Sequence, residues 1–210
     1  MNLEDAFLKI GMPLIYQNSL LECYKQAHRH YHNIDHINEM LKHVPEDHNE
    51  IEIVIEAILF HDIIYHNIPK PNGFNESLSI AEYLFYNIKA MAGFVAGNLE
   101  YERRVIEAIT ATGRHLEDQK RLGEVSKLVL DLDLSTFSLP WDEYSIWLER
   151  IEAENAEIYG QVSTRQEIII GRYQFLTQLL KRKSIYYIKT EWEEQARNNI
   201  ERDIAGDMND

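Results

Sequence analysis

The chain has one cysteine, Cys23, among its 210 residues, so it cannot form an internal disulfide. A chain so poor in cysteine suits a reducing compartment. No run of apolar residues approaches the roughly 20 that a helix needs to cross a bilayer. The first ten residues, MNLEDAFLKI, include two acids and lack the basic region of a secretory signal. We therefore expect a cytoplasmic protein without a membrane partner.

Basic residues are also scarce. The 21 Lys and Arg residues are outnumbered by 35 Asp and Glu residues, which gives a formal net charge of −14. Nucleic acids are bound through a basic surface, so this balance argues against nucleic acid as a partner. It would also repel a small anionic substrate, and a local group of positive charges would have to overcome that repulsion.

No segment shows the sustained alternation of apolar and polar residues that is typical of strands, and the pattern instead predicts an all-α fold. With 45% hydrophobic residues the chain can form one domain. We expect a helical core over about residues 14–140, with a C-terminal helical extension over about 141–205 packed on it. The predicted helices are Leu14–Ala27, Ile34–Val44, Asn49–Tyr65, Glu76–Met91, Leu99–Thr112, Gln119–Phe137, Trp141–Tyr159, Ser163–Arg182 and Thr190–Ile204.

The segment Ile51–Tyr65, IEIVIEAILFHDIIY, is apolar on nearly every side, as is typical of a helix in the middle of a domain. Its last predicted turn contains His61 and Asp62. A carboxylate in such surroundings costs several kcal/mol unless something pairs with it. A divalent metal ion would do so, since Asp and neutral His are both good ligands. The rival interpretation is a core histidine that hydrogen-bonds to its neighbour or to the backbone.

Further ligand candidates come from two other predicted helices. Five of the nine histidines fall between residues 28 and 43, and of these His32 and His36 are four residues apart, on one helical face. Asp131 and Asp133 point about 200° apart on a helix. The residues one turn away from Asp133 are apolar, whereas those around Asp131 are polar. Asp133 is therefore the predicted inner carboxylate, and Asp131 is predicted to be a surface acid.

The ordered set His32, His61, Asp62 and Asp133 resembles the HD superfamily of metal-dependent phosphohydrolases, named for a first His, an adjacent His-Asp pair and a later Asp. Further blocks look like the small stand-alone bacterial family of predicted HD phosphohydrolases. In chain order they are RHYHNIDHI (29–37), ILFHDIIY (58–65), NES (75–77), ITATGRH (109–115), DLDLSTF (131–137), GRYQFL (171–176), RKSIYY (182–187) and ARNNIERDI (196–204).

The resemblance implies an HD-type helical bundle in which those four residues hold one divalent metal ion. Mn²⁺, Mg²⁺, Fe²⁺, Co²⁺, Ni²⁺ or Zn²⁺ would suit such a mixed nitrogen and oxygen site. The ion would lower the pKa of a bound water and neutralise charge on phosphorus. The expected substrate is a small phosphate ester or anhydride, such as a nucleotide or a related metabolite.

The chain departs from this family pattern at Tyr65, where many HD phosphohydrolases have a glutamate that handles protons. Glu76 is the best substitute and joins Asp62 as the predicted catalytic pair. The rival interpretation of Glu76 is an acid favoured by the dipole of the helix that begins there. Arg29 and Lys70 are candidates for binding a phosphate. The predicted substrate-binding residues are Arg29, His36, Tyr65, Lys70 and His115.

Two alternatives to hydrolysis stay open. One is a non-catalytic, metal-containing helical module that binds a nucleotide or a protein, which the missing glutamate favours. The other is a di-iron oxygenase, which needs a second pair of histidines between Asp62 and Asp133. Only His66 and His115 lie in that interval, so the oxygenase ranks lower. The aromatic-rich C-terminal helices could also supply a homodimer surface.

Overall fold

The structure, a computed structural model, describes residues 1–65, 99–117, 119–160 and 163–207. Within these ranges it contains nine α-helices, two short 3-10 helices and no strand, which confirms the predicted all-α class. None of the described helices is long and apolar enough to cross a membrane. The α-helices are α1 (Leu3–Lys9), α2 (Leu14–Tyr24), α3 (Ile34–Lys42), α4 (Ile51–Phe60), α5 (Leu99–Thr112), α6 (Glu124–Asp133), α7 (Trp141–Tyr159), α8 (Arg165–Lys181) and α9 (Glu193–Asp207).

The helix bounds differ from prediction where they matter most for the site. Helix α4 ends at Phe60, so His61 and Asp62 lie in the turn after it rather than in its last helical turn. The single helix predicted over 119–137 is instead α6 followed by a 3-10 helix at Ser135–Ser138. Helix α1 was not predicted, although Asn2 and Asp5 form a capping box at its start. The predicted helix at 76–91 lies outside the described residues.

Helix α4 is the centre of the N-terminal core. Nine of its ten residues are buried, and α3, α5 and α6 pack around it. Ile55, Ile58 and Leu59 have no exposed surface. Each contributes on the order of 1.5–3 kcal/mol by leaving water. The turn that follows α4 is therefore attached to the most deeply buried helix in this core.

The C-terminal helices form a second apolar cluster around Leu176, Leu179, Tyr186 and Ile200. Helix α7 packs against α8, and α9 packs against α8 and the 3-10 helix that follows α6. These contacts bring the C-terminal third of the chain against the end of α6. That end contains Asp133.

The prediction that Asp131 is a surface acid was wrong. Its side chain is only 1% exposed. It accepts hydrogen bonds from the backbone N–H groups of Tyr187, Ile188 and Lys189, at 2.6–3.1 Å. A buried carboxylate needs such partners. Asp131 therefore holds the loop between α8 and α9 against α6.

Candidate metal centre

Three separate parts of the fold bring four potential metal ligands together. His36 lies in the first turns of α3, His61 and Asp62 follow α4, and Asp133 is the last residue of α6. Each offers one nitrogen or oxygen atom, and these four atoms all lie within 4.8 Å of one another. Both histidines are buried, and the side chains of Asp62 and Asp133 are 19% and 14% exposed.

The orientation of His61 leaves one nitrogen without a hydrogen-bond partner. Its Nδ1 lies 2.8 Å from the carbonyl oxygen of Ile58, and it carries the hydrogen because a carbonyl can only accept. In the neutral ring Nε2 therefore has a lone pair and no hydrogen. This atom is buried and makes no hydrogen bond. It lies 2.9 Å from Asp62 Oδ2 and 3.4 Å from Asp133 Oδ1. A lone pair facing two carboxylate oxygens requires a cation or a proton between them.

The separations suit ligands of a single ion. Metal–ligand bonds of about 2.1 Å place neighbouring ligand atoms roughly 3.0 Å apart in an octahedron and roughly 3.4 Å apart in a tetrahedron. The observed distances from His61 Nε2 fall at these values. His36 Nε2 is 3.0 Å from Asp133 Oδ1, which is also a neighbouring-ligand distance. The donor set of two imidazoles and two carboxylates suits a first-row divalent ion.

The charges in the cluster favour a cation. Burial raises the pKa of Asp62 and of Asp133, but the neighbouring histidines, His61 foremost, together outweigh it, and the pKa of both carboxyl groups lies below its usual range. Burial lowers the pKa of His61, but the two carboxylates reverse this effect and raise it well above the ordinary value. Burial lowers the pKa of His36, which keeps that ring in the neutral form that binds metals.

His32, which was predicted to be a ligand, is not one of the four clustered residues. It precedes Asn33, the N-cap of α3, so it is not on the helix with His36. Its Nε2 lies 3.9 Å from Asp62 Oδ2, and its ring stacks on Tyr65 with centroids 4.1 Å apart. His36, predicted to bind substrate, is in the cluster instead.

Glu154 of α7, which was not predicted as a site residue, fixes the position of His32. Its side chain is fully buried. One carboxylate oxygen accepts from the backbone N–H groups of Tyr31 and His32 at 2.8 and 3.0 Å, and the other pairs with His32 Nδ1. His32 therefore turns Nε2 towards Asp62. Helix α7 has several acids, and no local signal in the sequence distinguishes the one that faces inward.

The contacts of Arg29 do not support the phosphate-binding role predicted for it. The side chain is buried, and four of its five N–H donors are used. They bond to Gln26 Oε1 and to the carbonyl oxygens of His32, Asp62 and Ile63, at 2.7–3.0 Å. Arg29 instead joins the turn before α3 to the turn after α4.

Of the other predicted substrate-binding residues, the structure describes His115 and Tyr65 but not Lys70. His115 Nε2 is 2.8 Å from Asp133 Oδ2, on the side of that carboxylate away from His36. Tyr65 is buried against His32. Lys70 and Glu76 lie outside the described residues, so the predicted roles of these two stay predictions.

A cavity of about 620 Å³ opens from the cluster. Its polar end includes His32, His61, Asp62, His115 and Asp133. From there it extends between α7 and α8. Its volume is within the range of roughly 300–1,000 Å³ that is usual for small-molecule sites.

Comparison with known proteins identified no relative of this chain. No protein-family model matches the chain, and no curated protein or solved structure matches it either. The chain is therefore characterised by its all-α fold and by a group of two histidines and two aspartates able to bind a metal ion.

Proposed function

We propose that this protein is a metal-dependent phosphohydrolase in which His36, His61, Asp62 and Asp133 hold one divalent cation. The observation that carries the proposal is the buried Nε2 of His61, which faces two carboxylates and has no hydrogen-bond partner. The likeness of HD and the later Asp to the HD phosphohydrolases supports it independently. A bound divalent ion supplies an acidified water and neutralises negative charge on a phosphate.

The residues around the cluster have separate parts in this proposal. Hydrolysis forms a bond from a water oxygen to phosphorus and breaks the bond from phosphorus to the leaving oxygen. The water loses a proton, and the leaving oxygen gains one. His32 and His115 both line the cavity beside the carboxylates, so both can exchange those protons. Glu154 holds Nδ1 of His32, which keeps Nε2 directed at the reacting end of the cavity.

The cluster also answers the problem that the net charge of −14 poses for an anionic substrate. Arg29 is occupied by carbonyl groups, so it does not supply the missing positive charge. A divalent cation between Asp62 and Asp133 would supply it at the point where a phosphate has to bind. An ion there makes the two adjacent buried carboxylates tolerable as well.

Phosphate release is the direct test. Purified protein would be stripped of metal and reloaded separately with Mn²⁺, Mg²⁺, Fe²⁺, Co²⁺, Ni²⁺ or Zn²⁺. It would then be given phosphate monoesters and nucleoside mono-, di- and triphosphates. We expect release that depends on the metal and that Asp133→Asn abolishes. Asp47→Asn, a change at an exposed acid, serves as the matched control and should leave release intact.

Three outcomes would contradict the proposal. Metal bound at Asp133 without release from any phosphorylated compound would favour a non-catalytic binding module. Two irons per chain without phosphate release would favour the oxygenase alternative. Release that survives Asp133→Asn would place the chemistry elsewhere.

A further inference from the structure

Helix α7 directs one apolar face into the cavity. Tyr144, Trp147 and Ile151 line it at spacings of three and four residues, so they lie on the same side of the helix. Trp147 also packs edge-to-face on Tyr31, with ring centroids 5.3 Å apart. The cavity wall on this side is therefore largely aromatic, and it begins beside the histidines of the cluster.

Helix α8 supplies the opposite wall with the same periodicity. Ile168, Gly171 and Phe175 line the cavity at intervals of three and four residues. A Cβ atom built on Gly171 would meet no heavy atom within 4 Å. The space between the two helices is thus bounded on both sides largely by apolar side chains, and its polar end is at the cluster.

The apolar part of the cavity offers little to additional phosphate groups. Among the described residues that line it, Arg172 is the only Lys or Arg. This guanidinium pairs with Asp203 and lies 3.5 Å from Glu152. Glu167 lines the same region and adds negative charge. In the part of the cavity lined by described residues, a chain of phosphates would therefore meet apolar walls and an acid.

We infer that the substrate is a phosphate monoester whose alcohol portion is an apolar or aromatic group held between α7 and α8. This inference rests on the proposed function, because it places the phosphate at the cluster. It narrows the broader expectation of a nucleotide by disfavouring polyphosphates and polar alcohol portions. An apolar pocket of this kind discriminates by roughly 10- to 200-fold for a single methylene group.

The test compares substrates that share one phosphate but differ in the attached group. With metal-loaded protein we expect kcat/KM for 1-naphthyl phosphate to exceed that for glycerol 3-phosphate by at least about tenfold. ATP should be the poorest substrate. Equal or higher kcat/KM for glycerol 3-phosphate, for AMP or for ATP would overturn the inference while leaving phosphohydrolase activity established.

A cavity-filling variant locates the apolar part of the site. Gly171→Leu replaces glycine within a helix, which favours folding, and it adds a side chain beside the cavity. It should lower kcat/KM for 1-naphthyl phosphate at least about tenfold and lower kcat/KM for glycerol 3-phosphate by a smaller factor. Gly206→Leu in α9 is the matched control, since it also has open space and does not line the cavity.

Binding without turnover separates this inference from the proposed function. Calorimetry with metal-loaded protein would compare 1-naphthylphosphonate with methylphosphonate, neither of which releases phosphate. Tighter binding of the naphthyl compound, weakened by Gly171→Leu but not by Gly206→Leu, supports the ligand class even if no ester is hydrolysed. Equal binding of the two phosphonates, no binding of either, or an unchanged naphthyl affinity in Gly171→Leu would overturn it.

Discussion

Replacing Asp131 with asparagine should destabilise the protein without affecting metal binding. The carboxylate is 1% exposed and accepts from three backbone N–H groups. Hydrogen bonds to a charged group contribute about 1.5–3 kcal/mol each, against about 0.5–1.5 kcal/mol for neutral ones. Asparagine retains one acceptor oxygen at most, so each of the three bonds loses roughly 1 kcal/mol. We expect Asp131→Asn to lower the free energy of unfolding by about 2–3 kcal/mol.

Urea denaturation measures this loss, and the slope of the transition should stay unchanged. For a chain of this size the melting temperature should fall by roughly 4–12 °C. Asp131→Ala leaves all three backbone N–H donors without an acceptor, so it should lower the free energy of unfolding further, by about 3–6 kcal/mol. Asp47→Asn, at an exposed position, should change the free energy by less than about 0.5 kcal/mol.

Metal affinity tests whether the two acids of the DLD motif have separate roles. Asp131 holds the loop between α8 and α9, and Asp133 is the proposed metal ligand. Asp131→Asn should bind Mn²⁺ as the parent protein does, because Asp131 bonds to a loop and not to the cluster. If Asp131→Asn lowered the free energy of unfolding by less than about 0.5 kcal/mol and also abolished metal binding, these two roles would be refuted.

Three further perturbations follow from the contacts of the site. Divalent metal should raise the free energy of unfolding of the parent protein by about 2.7 kcal/mol at 100 times Kd, and Asp133→Asn should remove the accompanying rise in melting temperature in a thermal-shift titration. Glu154→Gln should lower the free energy of unfolding by about 2–3 kcal/mol in urea, whereas Glu157→Gln on the same helix should change it by less than about 1 kcal/mol; equal losses would contradict the role given to Glu154. Arg29→Lys should cost about 2–4 kcal/mol, since a lysine cannot reach three carbonyl groups at once; an unchanged urea midpoint would show that those bonds contribute nothing.

Periodicity was sufficient to predict the helical fold, because the apolar residues repeat at helical spacing along most of the chain. It also singled out His61 and Asp62, since a charged pair at the end of an apolar segment stands out locally. It failed for Asp131 because α6 is buried on nearly all sides where the two acids lie. Amphipathicity identifies the inward-facing residue only when the opposite side of the helix is exposed to solvent, so it cannot choose between two residues on such a helix.

The expectation that His32 and His36 share a helical face was wrong for a different reason. Spacing of four residues places two side chains on one face only if both are helical, and α3 begins at Ile34. The contact of Glu154 with His32 joins residues 122 positions apart, and that separation leaves no local pattern. Arg29 likewise has its partners both nearby and more than thirty residues away.

The hydrogen bonds from Glu154 of α7 to the turn before α3 determine where the chain can be divided. A fragment that stopped near residue 140, where the sequence suggests an extension begins, would lack Glu154. The amides of Tyr31 and His32 would then lose their acceptor, and His32 would lose the carboxylate that orients its ring. Truncation at that point would therefore disturb the polar end of the cavity as well as remove its apolar walls. The C-terminal helices and the N-terminal bundle therefore have to be expressed together for this end of the cavity to form.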